Sequence, residues 1–209
     1  MPTKLPERQS ARLLGHKGAV HALSYSSGSG QYILSGSSDR TVRLWNPAKA
    51  ASSDSRGNSN ALVQTYEGAH GYEVLSLAVA QDNSRFVSGG GDKSVFLWDV
   101  STAQTIRRYG GGPGSHVARI ECVAFGGDRD SVVLSGSLDS TVRLWDSKAS
   151  NPKPIMVLSE AKDSVSSLVV MDHEIMTGSI DGRVRVYDLR MGMVNADVIG
   201  RESTGTTKF

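Results

Sequence analysis

Apolar and β-branched residues come in short runs along this chain, separated by Ser, Gly and Asp. "QYILSG" (31–36) and "TVRLWN" (41–46) are two such runs around a polar break, which predicts two strands joined by a tight turn. A further apolar run precedes the pair, "AVHALSY" (19–25), and another follows it, "LVQTY" (62–66). The grouping returns with "VLSLAVA" (74–80) and "TIRRY" (105–109), then with "RIECVAF" (119–125) and "SVSSLVV" (164–170). The chain therefore reads as all-β, in four units of four strands. The runs do not alternate strictly, as expected of sheets packed on both faces.

Within each unit the central turn is nearly the same. "SGSSDRTVRLWN" runs from Ser35 to Asn46, "SGGGDKSVFLWD" from Ser88 to Asp99, "SGSLDSTVRLWD" from Ser135 to Asp146 and "TGSIDGRVRVYD" from Thr177 to Asp188. An Asp precedes an aromatic by six residues each time: Asp39–Trp45, Asp92–Trp98, Asp139–Trp145 and Asp181–Tyr187. These aspartates are 53, 47 and 42 residues apart. A period of about 45 residues is the size of one four-stranded propeller blade. Repetition on this scale signals architecture, because a catalytic or metal site is needed only once.

The 209 residues are enough to bury a core, and 23 glycines against six prolines fit a chain with many tight turns. Lys plus Arg (23) exceeds Asp plus Glu (21) by two, and no block of like charge concentrates the excess. Direct nucleic-acid binding is therefore not expected. The single cysteine, Cys122, excludes an internal disulfide and suits a reducing compartment. Inside "RIECVAF" it reads as a small buried thiol. "MPTKLPERQS" lacks the apolar core of a signal peptide, and the apolar runs are too short for a membrane helix. A soluble protein of the cytoplasm or nucleus is the expectation.

The repeats resemble those of the WD-repeat β-propellers, over residues 13–200. That resemblance implies a buried hydrogen-bonded set of His, Ser or Thr, Asp and Trp in each blade. It places the sets on His16, Ser35, Asp39 and Trp45; on His70, Ser88, Asp92 and Trp98; and on His116, Ser135, Asp139 and Trp145. The fourth copy departs, with Ala161 at the His position and Tyr187 at the Trp position, beside Thr177 and Asp181. Its blade is expected to be the least rigid. The expected blades cover 15–67, 70–109, 116–158 and 161–199. The family's ring has seven blades, so four imply an open arc and a truncated chain that aggregates or dimerises. "ARLLG" (11–15) is placed to be the outer strand of a closing blade. Residues 1–10 are expected to be disordered, 48–60 to be a disordered loop and 201–209 to be a non-repeat tail.

Candidate chemistry changes this picture little. His16, Ser35 and Asp39 are the residue types of a Ser-His-Asp triad, but their recurrence at fixed spacing reads as structure. His21 and His173 have no second His or Cys at metal-ligand spacing, so no metal or cofactor is expected. "YGGGPGSH" (109–116) lacks the lysine of a phosphate loop, and "GRVRVYDLR" (182–190) reads as a solvated strand edge. No catalytic residue is assigned, and the chain is not expected to be an enzyme.

The family resemblance further implies that proteins dock where the inner strand begins and the Asp turn lies. Those positions are Ala19, His21 and Ser38; Glu73, Leu75 and Gly91; Arg119, Glu121 and Leu138; and Ser164, Ser166 and Ile180. An apolar Leu138 or Ile180 just before a turn fits a covered interface. The mixed charges of Glu73, Arg119 and Glu121 fit a protein more than a phosphate backbone. Segments 71–100 and 163–192, through "GYEV", "GGGDK", "DHEI" and "YDLRMG", resemble WD-repeat scaffolds of mitogen-activated protein kinase cascades. That group is also associated with pre-mRNA splicing, so kinase-cascade components and splicing factors are the implied partners. Alternatively, Tyr187-Asp188-Leu189-Arg190 resembles the Trp/Tyr-Asp-x-Arg ending of substrate receptors of cullin-4 ubiquitin ligases. Asp188 and Arg190 would then meet the adaptor.

Overall fold

The computed structural model describes residues 12–50, 61–151, 153–191 and 193–198. Their strands form four antiparallel four-stranded sheets, each with its strands side by side in chain order. The first holds β1 (Val20–Tyr25), β2 (Ile33–Ser37), β3 (Val42–Trp45) and β4 (Leu62–Tyr66). The second holds β5 (Val74–Val79), β6 (Arg85–Gly90), β7 (Val95–Asp99) and β8 (Thr105–Tyr109). The third holds β9 (Ile120–Gly126), β10 (Val132–Ser137), β11 (Val142–Asp146) and β12 (Met156–Leu158). The fourth holds β13 (Val165–Met171), β14 (Glu174–Ser179), β15 (Arg183–Asp188) and β16 (Met193–Val198).

The turn between the second and third strands of each blade follows from its Asp. The next residue takes a left-handed conformation: Arg40 (φ 68°), Lys93 (φ 61°), Ser140 (φ 66°) and Gly182 (φ 79°). For an L side chain that costs about 1–2 kcal/mol, which the fourth blade avoids with glycine. The Asp offsets the strain by accepting, through Oδ1, the amide two residues on. The donors are Thr41 at 3.1 Å, Ser94 at 3.3 Å, Thr141 at 3.1 Å and Arg183 at 3.1 Å.

The core lies between the blades. Leu34, Val42, Leu44 and Tyr66 of the first meet Val74, Phe86, Phe96 and Trp98 of the second. Val87, Val95, Leu97 and Tyr109 meet Ile120, Val123, Val133 and Trp145. Cys122, Leu134, Val142, Leu144 and Leu158 meet Val165, Ile175 and Tyr187. Phe86 stacks on Trp98 at 5.7 Å, a geometry favoured by the ring quadrupoles. Each seam also has a knob and a hole. A Cβ at Gly36 would lie 2.7 Å from Val74, one at Gly89 2.6 Å from Ile120, and one at Gly136 2.8 Å from Val165. The glycine in the middle of the second strand is thus required by the blade that follows it.

Substantial packing joins only consecutive blades among the described residues, so the four form an open arc. At the end away from the Asp turns, loops of adjacent blades are tied together. Ser27 N donates to Asn83 Oδ1 at 2.7 Å, and Gln81 N donates to Asp130 Oδ2 at 2.6 Å.

Three expectations need comment. The loop expected from residue 48 begins later: Pro47–Ala50 is a helical turn, with Ala50 buried against Trp45 and Ala61. Apolar contact holds this turn in place, which polar composition did not foretell. Residues 12–15 of the expected outer strand have no regular structure, although Leu13 leans on the Trp45 cluster. Residues 1–10, 51–60 and 201–209, with their expected disorder or tail, lie outside the described residues.

Candidate functional site

Three of the four turns carry the same side-chain relay. In the first blade His16 Nδ1 donates to Asp39 Oδ2 at 2.8 Å, Ser35 Oγ lies 2.7 Å from His16 Nε2, and Trp45 Nε1 donates to Ser35 Oγ at 2.7 Å. The second blade repeats it with His70, Asp92, Ser88 and Trp98 at 2.8, 2.7 and 2.8 Å. The third does so with His116, Asp139, Ser135 and Trp145 at 2.8, 2.9 and 2.9 Å. Because Trp donates to Ser, the Ser proton must go to Nε2, and the imidazole carries its own proton on Nδ1. Burial alone would raise the Asp139 carboxyl. Hydrogen bonds from His116, Thr141 and Val117 N outweigh it and hold the group below the usual carboxylate range. Asp39 is held down in the same way, by Thr41, Lys17 N and His16.

The relay has the bond order of a Ser-His-Asp triad. Ser35, Ser88 and Ser135 are nevertheless buried, and each hydroxyl already accepts a Trp N–H. No substrate can reach them, and the relay serves to join the turn to the blade.

The fourth blade is built differently. Arg185, buried within β15, donates from two nitrogens to Asp181, at 3.2 and 2.7 Å. That ion pair, ahead of the opposing effect of burial, holds the Asp181 carboxyl well below its ordinary range. The same pair raises the guanidinium. The expectation of a solvated arginine edge is therefore corrected at Arg185, while Arg183 and Arg190 are exposed. β15 is an interior strand, paired on both sides, and Asp181 lies within reach of its inward-facing side chain. Thr177 Oγ1 is buried with no well-formed hydrogen bond, as Ala161 offers none and only the Tyr187 phenol lies near. Burial pushes the Tyr187 phenol up to about 12.

The expected partner-facing positions meet in pairs across each blade. Ser38 N donates to Ala19 O, Gly91 N to Glu73 O, Leu138 N to Arg119 O and Ile180 N to Ser164 O, at 2.9 to 3.1 Å. His21 Nε2 lies 2.7 Å from Ser38 Oγ, and Arg119 Nε donates to Glu121 Oε1 at 2.5 Å. Leu138 is 43% and Ile180 65% exposed. Ser166 is exposed, and Glu73 and Leu75 are half-buried. Ser164 is buried, with its amide and hydroxyl both donating to Oδ1 of the adjacent Asp163, and it leaves the exposed set.

Asp188 has a structural role that sequence reading missed. Its Oδ1 accepts Arg190 N and Met191 N at 2.8 and 3.1 Å. Asp99 accepts Ser101 N and Thr102 N, Asp146 accepts Lys148 N and Ala149 N, and Asn46 accepts Ala48 N. The residue after the aromatic thus caps the next turn in all four repeats, and the recurring Asp or Asn was the available signal. The structure also gathers the ligand atoms of His173, Glu174 and Asp188 within 4.8 Å of one another. Strand pairing of Glu174 with Asp188 makes this group, which linear spacing could not show. Glu174 is exposed and Asp188 already accepts two amides, so no metal is assigned there.

The model of the WD domain, G-beta repeat, matches residues 7–46, 60–99, 112–146 and 152–188. The chain belongs to the WD-repeat family. It is similar to rat "WD repeat domain-containing protein 83", 45% identical over 203 residues, which cover 97% of this chain and 59% of that protein. A Dictyostelium discoideum homologue of the same name is 30% identical over 227 residues, covering 94% of this chain and 64% of that protein. A maize guanine nucleotide-binding protein subunit beta is 31% identical over 166 residues, covering 78% of this chain and 43% of that protein. The chain spans about three fifths of the length of its WD-repeat-83 relatives. Its WD repeats therefore account for the relay, the repeated turns and the seams alike.

Proposed function

We propose that this WD-repeat chain is a non-enzymatic protein-interaction scaffold whose partners are kinase-cascade components, splicing factors or both. The observation that carries the reading is the row of Leu138 and Ile180, two exposed apolar side chains on turns held rigidly by an Asp. Each is tied by its backbone to the start of the inner strand, so a partner would meet a fixed surface. Membership of the WD-repeat family supports a scaffold that binds proteins, and the choice of partners rests on the resemblance of segments 71–100 and 163–192 to kinase-cascade scaffolds. The scaffold would work in the cytoplasm, the nucleus or both. Among the described residues no helix is long and apolar enough to cross a membrane.

The test is affinity purification with mass spectrometry on the chain and on a Leu138→Asp/Ile180→Asp double variant. Kinase-cascade or splicing proteins should co-purify with the first and fall away from the second while the fold persists. Unchanged recovery from the variant would overturn the reading. The ligase-receptor alternative rests on Arg190, which is exposed beside the capped turn. Selective loss of a cullin adaptor in Arg190→Ala would favour it.

A further inference from the structure

The three seams share a knob and a hole near the Asp turns, but at the opposite end they differ. Register makes Val79, Phe125 and Val170 equivalent, since they pair with Phe86, Val133 and Ile175 of the next strand. Phe125 packs its ring into the core of the second seam. The second blade also brings Arg107 there, opposite Leu97, where the first blade has Gln64 opposite Leu44. The first seam, with both its blades in the chain, has only Val79 at that position. Among the described residues a cleft of about 570 Å³ lies there. The third seam, with Val170, holds a smaller one of about 210 Å³.

Leu34, Leu44, Val79 and Val100 supply apolar walls to the larger cleft, and Gln31, Gln64 and Ser101 supply amides and a hydroxyl. None of its lining residues is charged. Two hydrogen bonds across the seam fix the walls. Tyr66 Oη donates to Val100 O at 2.9 Å, and Asn83 Nδ2 donates to Ser27 O at 3.2 Å. The cleft is thus preformed, with the size and mixed lining of a ligand site. Ala50 and Ala61, on either side of residues 51–60, pack on the opposite face of the first sheet with Trp45.

We infer that this cleft binds an uncharged aromatic ring. The second seam shows which group fits, because there the fold itself places a phenyl ring at the equivalent position. A charged ligand would lose its hydration against walls that offer no opposite charge. The amides and the hydroxyl are partners for an indole N–H or a phenol O–H, which favours rings of the Trp or Tyr kind. A small molecule and a side chain of a partner protein share this chemistry.

Titration of the isotope-labelled chain with indole up to about 10 mM tests this, followed by the amide signals of Leu44, Val79 and Val100. Saturable shifts centred on these residues are expected, with a dissociation constant of about 1 mM or tighter. Val79→Phe copies the ring that Phe125 supplies to the second seam, and it should weaken binding at least about tenfold in a folded chain. Gln64→Arg copies Arg107 and should act in the same direction, deciding the matter if Val79→Phe does not fold. N-acetyl-L-tryptophanamide separates the sources. Binding as tight as that of indole assigns the ring to a protein side chain, and binding of indole alone assigns it to a small molecule. Absence of saturable shifts at these amides overturns the inference, as does unchanged binding in a folded variant.

Discussion

Asp139 in the third blade and Asp181 in the fourth occupy the same turn and accept the same backbone amide, from Val117 and from Lys162. Their side-chain partners come from opposite directions. His116 reaches in from the segment before β9 and passes the link on to Ser135 and Trp145. Arg185 reaches up from the third strand of its own blade and ends the link at Asp181, leaving Thr177 Oγ1 without a well-formed hydrogen bond. Turn and core are thus separable in this fold. The turn needs any donor that neutralises its Asp, whereas only the imidazole, with a donor and an acceptor on opposite edges, can bridge turn to core.

The largest effect on this comparison should come from acid, which acts on several blades together. Asp39, Asp139 and Asp181 are held below their ordinary value of 3.8 in the fold. The unfolded chain therefore takes up protons first as pH falls. Their contribution is complete above about pH 4 and is lost as pH drops from there towards the folded values. Urea midpoints measured from pH 7 down to 2 should be flat and then fall. Midpoints that hold at pH 2 would break the electrostatic account of the turns.

Single substitutions sharpen it further. Trp145→Ala should cost about 3–5 kcal/mol in chemical denaturation, as loss of a buried aromatic does. Arg185→Met keeps the volume but strands the Asp181 charge. It should cost about 2–4 kcal/mol, somewhat below a fully buried pair because Asp181 still touches water. If it costs nothing, backbone amides alone hold the fourth turn. His116→Ala should cost about 1–3 kcal/mol by leaving Asp139 and Ser135 short of a partner. The smallest effect is expected of Thr177→Val, within about 1 kcal/mol, since the hydroxyl it removes makes no well-formed hydrogen bond and has only the Tyr187 phenol close by.

Much of this was legible in the chain because the signals were local. The Asp-to-aromatic spacing marks each hairpin, and the repeat period sets blade size, so the all-β architecture of four four-stranded blades followed. Arg185 was misread because its run, "GRVRVYD", looks polar when taken one residue at a time. Its burial comes from the ion pair with Asp181 at the turn, which only the folded hairpin brings into reach. Ser164 failed because its burial next to the exposed Asp163 is a property of the folded blade and leaves no mark in the local run. The helical turn at Pro47–Ala50 rests on contact of Ala50 with Trp45 and with Ala61 across the loop, which the polar run between them does not announce.

Cys122 sits in the seam between the third and fourth blades, with Sγ 3.8 Å from Val165 O, and burial pushes its thiol up to about 12. At neutral pH almost none of it is thiolate, and what there is lies out of reach of a reagent. Alkylation must therefore wait for the two blades to part. As the chain has one cysteine, its labelling rate is a built-in clock for that event, with no probe to be introduced. A rate that matches global unfolding would make the arc one cooperative body, whereas a faster rate would reveal the fourth blade swinging away alone.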